Sequence, residues 1–234
     1  MNETKRSGEY EGRGDYHREL DPAWSYAPIY KRKVEWVDGF VQRLPADSRL
    51  VDVGCGEGAL VERYAARGID TLGVDVDYES ERVRRASLLS LPFDEASFNA
   101  ALCLDVLEHI SLLDQPTAIA EIRRVLTPGG RLLVTVPNLA HLHSRLRFLL
   151  GGRFTRTSAI ERHPGDRPMA EYIELLQKTG FTIGRRGGIF PTVPFLFRLV
   201  NRQTERFGWL VPWLDRLLPV PGWCFLSVIE ATRL

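Results

Sequence analysis

The sequence predicts an α/β fold in which helices cover both faces of a mostly parallel sheet. Short apolar runs that end in an acid or a glycine alternate with longer segments whose apolar residues recur at helical spacing. Such alternation is typical of parallel sheets, because two parallel strands need a long crossover between them. A chain of 234 residues, 44% of them hydrophobic, is long enough for one domain with a single large core.

The same patterns place the elements along the chain. A first helix is predicted over 28–44, where Val34, Val37 and Phe40 recur at helical spacing. Strands are predicted at 49–54, 71–75, 98–104 and 131–136, with a further strand that begins at 181 and a last strand at 223–232. Helices are predicted at 59–67, 115–126 and 169–179. The segment 76–90 is short, so we predict a turn there in place of a full helix.

A glycine-rich loop follows the first strand, in the segment VDVGCGEGAL at 51–60. Glycines at a strand-to-helix turn allow the backbone N–H groups to approach a ligand closely. Gly54, Gly56 and Gly58 form the pattern G-x-G-x-G, whereas a dinucleotide-binding loop has G-x-G-x-x-G. Asp52 adds a carboxylate beside the turn. The loop therefore predicts a ligand with a cationic amino acid end rather than a pyrophosphate.

A second acid ends the next strand. Asp75 lies 17 residues after Gly58, which places its carboxylate at the carboxyl end of the neighbouring parallel strand. A carboxylate at this position can accept hydrogen bonds from both hydroxyls of a ribose. The alternative is an ordinary exposed aspartate at the end of a strand, and the glycine loop favours the ribose interpretation.

Two further motifs are LPFDEASFNAALCLDVLEHI at 91–110 and LTPGGRLLVTVPN at 126–138. With them the chain resembles the class I S-adenosylmethionine-dependent methyltransferases, in particular the type 11-like branch with a DVLEH segment after the fourth strand. The resemblance covers about 49–138. It implies a Rossmann-like, doubly wound, seven-stranded sheet, mostly parallel, with an antiparallel last strand beside the fifth. It also implies S-adenosyl-L-methionine as the cofactor.

The resemblance assigns cofactor-binding roles to four short segments. Asp52, Gly54, Cys55, Gly56 and Gly58 would surround the methionine part, Asp75 and Val76 the ribose, Ser87 and Leu88 the adenine, and Leu104 and Asp105 the floor near the methyl group. Many relatives have an aspartate where this chain has Ser87. A serine hydroxyl accepts from the adenine amino group more weakly than a carboxylate does.

Histidines are the candidates for proton transfer. His109 lies in the DVLEH segment beside the expected methyl position, with Glu108 as its orienting partner. The alternative is that this pair only fixes the turn. His143, which follows the fifth strand, is the second catalytic candidate. His141 and His143 are two positions apart and so do not share a helix face, and no metal site is predicted.

The predicted activity is O-methylation of a small or lipid-linked acceptor, such as a sugar, a polyketide or a quinone. Enzymes that methylate nucleic-acid nitrogens often carry Asn/Asp-Pro-Pro-aromatic after the fourth strand, whereas this chain has Asp-Val-Leu-Glu at 105–108, so no nucleic-acid partner is expected. The alternative is a non-catalytic, methyltransferase-like partner subunit. A nicotinamide-dependent oxidoreductase is excluded by the glycine spacing and by the lack of a Tyr-x-x-x-Lys pair.

Charge is unevenly distributed along the chain. Residues 1–137 have a net charge of −6 and residues 138–234 a net charge of +7. Cap insertions are predicted at about 138–168 and 191–221, and the second combines arginines with Trp209 and Trp213. This insertion is either a pocket lid or a surface for peripheral contact with an anionic membrane.

The chain is expected to be cytoplasmic, with membrane association left open. Its three cysteines have no paired or metal-like spacing, and no run of 18 apolar residues is present. Residues 1–20 are predicted to be a flexible segment, followed by a single methyltransferase domain over 21–234.

Overall fold

The computed structural model describes residues 20–21, 24–155 and 160–234. The strands are β1 (Arg49–Val53), β2 (Asp70–Asp75), β3 (Val83–Arg85), β4 (Phe98–Leu104), β5 (Leu126–Pro137), β6 (Phe181–Pro191) and β7 (Cys224–Arg233). The helices are α1 (Ala27–Val41), α2 (Ala59–Ala65), α3 (Gln115–Val125), α4 (Leu142–Gly151), α5 (Met169–Lys178), α6 (Pro194–Arg202), α7 (Thr204–Phe207) and α8 (Leu210–Leu217), with 3-10 turns at Leu107–His109 and Pro221–Trp223. Apart from Leu20, the predicted flexible segment lies outside the described residues.

The strands form one sheet in the order β3-β2-β1-β4-β5-β7-β6. The first five pair in parallel, and β7 pairs antiparallel with both β5 and β6. The predicted Rossmann-like, mostly parallel sheet with an antiparallel last strand beside the fifth is confirmed.

The core lies on both faces of this sheet, because successive side chains of a strand point to opposite sides. Val51 and Val53 of β1 pack with Ile119 of α3 on one face. Leu50 packs on the other face with Phe40 of α1. All five side chains are fully buried, so β1 is held between two helical layers.

The start of β5 differs from the one predicted. The sequence predicts a helix to 126 and a strand from 131, but α3 ends at Val125 and β5 already begins at Leu126. Its register with β4 shifts between Phe98 and Ala100, and Gly129 has a positive φ of 75° inside the irregular stretch. A bulge thus lets the strand continue through a Pro-Gly-Gly sequence. The prediction that no full helix follows β2 is confirmed, since 76–90 contain none, but the strand β3 (Val83–Arg85) within this segment was not predicted.

Helices also occupy both predicted cap insertions. Val200, Val211 and Leu214, from α6 and α8, are buried in the same apolar cluster as α1 and the sheet. The region 191–221 therefore packs on the sheet through one apolar face. Among the described residues, no helix combines the length and the apolar content needed to cross a membrane.

Candidate active site

A cavity of about 1010 Å³ opens where β1, β2 and β4 end. Because β1 lies between β2 and β4, this is the crevice in which doubly wound sheets bind their ligands. The cavity lining contains the predicted residues Asp52, Gly54, Cys55, Asp75, Val76, Ser87, Leu88, Leu104 and Asp105, as well as His109. Gly56, Gly58 and His143 are not part of that lining.

The amides of the glycine loop bond within the protein. The N–H groups of Gly54 and Cys55 donate to the carbonyl of Val74, at 2.7 and 3.1 Å. The N–H of Gly56 donates to Oδ2 of Asp75 at 2.8 Å. The expectation that bare amides face the ligand is therefore wrong for these residues. Their bonds close the turn and hold the Asp75 carboxylate in place.

Glycine is needed at Gly54 for space as well as for conformation. Its φ is +75°, and an added Cβ would lie 2.3 Å from a methyl group of Val106. Val106 follows Asp105, which itself has a left-handed φ of +58°. The loops after β1 and β4 are thereby packed against each other. This contact fixes the separation of the two loops that border the cavity.

The end of β2 offers a polar and an apolar group. Asp75 accepts the N–H of Asp77 on Oδ1 at 2.9 Å, and each carboxylate oxygen has a further lone pair for a hydroxyl. Val76 is 62% exposed although it is apolar, and it lines the cavity. Ser87 accepts the N–H of Leu89 on its hydroxyl oxygen at 3.2 Å. These groups suit a ribose and the face of a purine.

Asp105 is the centre of a buried polar network. It accepts the Nζ of Lys33 at 2.8 Å, the hydroxyl of Tyr26 at 2.6 Å and the hydroxyl of Thr135 at 2.6 Å. Burial acts to raise the pKa of Asp105, but Lys33 and the donated hydrogen bonds outweigh it, so the net pKa is lowered. Asp105 is therefore an ionised carboxylate in the cavity wall.

Lys33 was missed in the sequence analysis. It is buried on the same face of α1 as Ile29, Val37 and Phe40, whereas Val34 is only half-buried. The signal was a lysine at a core position of the helical repeat. A charge at such a position requires a partner, and the partner lies 72 residues away.

Asp52 lies 4% exposed in the cavity wall. Burial raises its pKa from the ordinary 3.8 to about 7, with Lys33 lowering it and Asp75 raising it further. The lining contains seven carboxyl groups, at Asp52, Asp75, Asp77, Glu79, Asp105, Glu108 and Asp114, against the two cations Lys33 and Arg85, and burial raises the pKa of Glu108 as it does that of Asp52. Such a cavity favours a positively charged ligand, which would draw Asp52 into its ionised form.

His109 is held in one orientation at the cavity. Its Nδ1 lies 3.0 Å from the backbone carbonyl of Arg162. A carbonyl only accepts, so Nδ1 carries the proton and Nε2 carries the lone pair. The rings of His109 and His163 meet edge to face, with centroids 4.7 Å apart, and Glu108 lies in the same wall.

The structure places His143 and His141 away from the cavity. Nδ1 of His141 lies 2.9 Å from the hydroxyl oxygen of Thr192, and the two imidazoles stack with centroids 6.3 Å apart. Burial lowers the pKa of His141 to about 4 and also lowers that of His143, which keeps both rings neutral. Of the two catalytic candidates, only His109 reaches the site.

Comparison with known proteins identifies the family. The family model described as a methyltransferase domain matches residues 51–134. A protein of Mycolicibacterium smegmatis named "Probable S-adenosylmethionine-dependent methyltransferase" is 32% identical over 186 residues, which cover 72% of this chain and 68% of that protein. A ubiquinone biosynthesis O-methyltransferase of Acinetobacter baumannii is 24% identical over 221 residues, covering 86% of each.

Solved structures share the fold. The magnesium protoporphyrin IX methyltransferase from Synechocystis, solved with bound SAH, superposes with a TM-score of 0.58 at 17% identity. The alignment covers 90% of this chain and 86% of that one. Fold, site and sequence matches together define an enzyme of the class I methyltransferase type. The chain belongs to the S-adenosylmethionine-dependent methyltransferases, and S-adenosyl-L-methionine is its cofactor.

The residues present fit this cofactor. The side-chain-free position at Gly54 and the carboxyl of Asp52 suit the methionine end, while Asp75 and Val76 suit the ribose and adenine. The excess of carboxyl groups over cations in the lining matches a ligand whose sulfonium and ammonium groups outweigh its one carboxylate. Membership of an enzyme family and a cavity that fits the cofactor argue against a non-catalytic partner subunit.

Proposed function

We propose that this enzyme methylates a hydroxyl oxygen on a small or lipid-linked acceptor of the quinone, polyketide or sugar type. The observation that carries the proposal is the position of His109, an oriented imidazole in the wall of the cofactor cavity. An oxygen acceptor needs a group that takes its proton, and Nε2 of His109 has the lone pair to do so. The match to the ubiquinone biosynthesis O-methyltransferase gives further support.

Methyl transfer requires the protein to align the cofactor with the acceptor and to remove the hydroxyl proton. The cofactor, when bound, supplies a methyl group activated by its sulfonium sulfur. As the O–C bond forms, the sulfur keeps the electron pair of the broken S–C bond. The loops that begin at Gly54 and Asp105, after β1 and β4, form the wall of the cavity on the cofactor side. His109 takes the hydroxyl proton on the acceptor side. Alignment of this kind lowers a barrier by roughly 7–11 kcal/mol.

The test uses formation of S-adenosylhomocysteine from S-adenosylmethionine with a panel of polyprenylated catechols, hydroxylated polyketides and sugars. We expect turnover with an oxygen acceptor, and we expect His109→Ala to lower kcat by about 10²–10⁴-fold. Cofactor affinity, measured by calorimetry, should change little because His109 lies on the acceptor side. His143→Ala is the matched control, since His143 lies outside the cavity.

Two outcomes would contradict the proposal. Methyl transfer to nitrogen or carbon acceptors only would exclude O-methylation. Wild-type turnover in His109→Ala would show that the imidazole only fixes the turn.

We also propose that the acceptor is lipid-linked and is met at an anionic membrane surface. Helices α4 and α6 pack against each other and form one outer face of the cap. Leu149 is 79% and Leu150 86% exposed at the end of α4, and Phe195 is exposed at the start of α6. Apolar side chains this exposed are costly in water and stabilising in a lipid interface.

The charges of this face favour an anionic bilayer as its partner. The segments 139–155 and 191–204 contain no acidic residue. They contain the arginines Arg145, Arg147, Arg153, Arg198 and Arg202. Exposed leucines surrounded by arginines are typical of peripheral membrane proteins, since each arginine near an anionic leaflet contributes about 1 kcal/mol.

Co-sedimentation with phosphatidylglycerol and phosphatidylcholine vesicles tests the membrane proposal. We expect binding to the anionic vesicles that weakens with salt and is lost in the double variant Leu149→Glu, Leu150→Glu. Leu113→Glu is the control, because Leu113 is equally exposed but lies outside this face. Absence of sedimentation at low salt, or equal binding by both variants, would overturn it.

A further inference from the structure

We propose that Glu108, His109 and His163 bind a divalent transition-metal ion in the acceptor side of the cavity. One ligand atom from each of the three side chains lies within 4.8 Å of the other two, and all three residues line the cavity. Two imidazoles and one carboxylate on one side of an ion leave further positions open. This inference rests on the proposed O-methylation, because the ion would hold the acceptor oxygen.

An unsatisfied buried carboxylate oxygen points to a missing ligand. Glu108 is 1% exposed, and its Oε2 has no hydrogen-bond partner among the described residues. A buried carboxylate oxygen without a partner is costly, and proteins rarely keep one unless a water or an ion satisfies it. The two imidazoles beside Glu108 make an ion the better explanation, because they bring two nitrogen ligands to the same point.

His109 is oriented as metal-binding histidines usually are. Such a ring commonly donates its second N–H to a backbone carbonyl or to a carboxylate. Nδ1 of His109 lies 3.0 Å from the carbonyl of Arg162. Because the carbonyl of Arg162 only accepts, the proton of the His109 ring is on Nδ1 and its lone pair is on Nε2. His163 lies beside a carboxylate, with its Nδ1 3.6 Å from Oδ1 of Asp166, which is an ion-pair separation and longer than a hydrogen bond.

The third ligand comes from the cap, and the backbone holds it firmly. The N–H of Gly165 donates to the carbonyl of Glu108 at 3.0 Å. Nε2 of Gln115 donates to the carbonyls of both Leu107 and Gly165 at 2.8 Å. An added Cβ at Gly165 would lie 2.1 Å from the carbonyl oxygen of Ile110. The segment with His163 is thus fixed against the turn with Glu108 before any ion binds.

The ligand types select the ion. Imidazole nitrogens favour Zn²⁺, Fe²⁺, Co²⁺ or Ni²⁺, whereas Mg²⁺ and Ca²⁺ prefer sets of oxygen ligands alone. Zinc in catalytic sites keeps three protein ligands and an open position. An acceptor with two adjacent oxygens, such as a catechol, suits an ion with open positions. The inference therefore narrows the acceptor to a chelating, catechol-like hydroxyl.

A bound metal ion would make the acceptor hydroxyl itself more acidic. An oxygen bound to a divalent ion loses its proton at a lower pH than a free hydroxyl does. The hydroxyl proton would then pass to solvent, and the oxygen would attack the methyl group as its anion. With an ion bound, His109 would be a ligand and the proton would leave to solvent; without an ion, His109 takes the proton itself, and the oxygen is methylated in both cases. The two accounts differ in their response to a chelator.

The test titrates ZnCl₂ into the chelator-treated, full-length protein and follows heat and metal content after dialysis. We expect one Zn²⁺ per chain in the absence of cofactor and acceptor. Glu108→Gln and His163→Ala should each weaken binding tenfold or more. His143→Ala is the matched control and should bind as the wild type does. Thermal melts of all variants confirm that each is folded.

Each outcome separates this inference from the proposed function. No Zn²⁺ binding in wild type, or equal binding in Glu108→Gln and His163→Ala, overturns the metal site. O-methylation that persists in chelator also overturns it while leaving the proposed function intact. Stoichiometric Zn²⁺ binding lost in both variants supports the site even where no acceptor in the panel is methylated.

Discussion

A single carboxyl group, that of Asp52, connects the charge of the cavity to pH. Its pKa of about 7 means that the folded protein holds a proton on this group over a range in which the unfolded chain has already released it. Between the ordinary pKa of 3.8 and about 7, this group's contribution to the free energy of unfolding therefore falls as the pH rises. A cation bound nearby favours the ionised form and so binds better at higher pH.

We expect the affinity for S-adenosylmethionine to rise by about tenfold between pH 6 and pH 8, because Asp52 changes from mainly neutral to mainly ionised. Calorimetric titration at the two pH values measures this change. Asp52→Asn removes the titrating group, so its affinity should be nearly independent of pH and close to the low-pH value of the wild type. Equal wild-type dissociation constants at pH 6 and pH 8 would exclude the role of Asp52.

Helix α1 is the element that joins the helical layer to the site. It carries Lys33 on its buried face, and the residue before the helix, Tyr26, reaches the same carboxylate of Asp105. The Nζ of Lys33 also lies 5.5 Å from the ring centroid of Tyr26 and 5.1 Å from that of Tyr30, within the range of a cation–π contact. Packing of α1 on the sheet thus sets the position of a charged wall of the cavity.

Lys33→Met should destabilise the protein by about 3 kcal/mol, because removal of one partner leaves the other buried charge poorly compensated. The Tyr26 and Thr135 hydroxyls still donate to Asp105, so we expect the low end of the usual range. Urea unfolding measures the change. Lys31→Met is the control, since Lys31 is exposed on the same helix. Equal unfolding free energies for the two variants would show that the ion pair adds no stability.

At the scale of the whole molecule, local patterns predicted most of the parallel strands, whereas the family resemblance predicted the complete sheet and the residues assigned to the cofactor. Asp75 ends β2 and Asp52 lies one residue before the end of β1, so the position of each follows from a few neighbouring residues. The Lys33–Asp105 pair joins residues 72 apart. The ring of His163 contacts that of His109 because Gly165 packs against the backbone of the 107–110 turn. Such contacts depend on tertiary packing, which has no signature in local periodicity.

The position of β7 has a consequence for how the chain is synthesised. β5 and β6 do not pair with each other; both pair with β7, which follows them along the chain. While a ribosome is still making residues 192–223, each of the two earlier strands has an open edge that can pair with another nascent chain. A pause in translation ahead of β7 should therefore favour aggregation, whereas a pause after it should not.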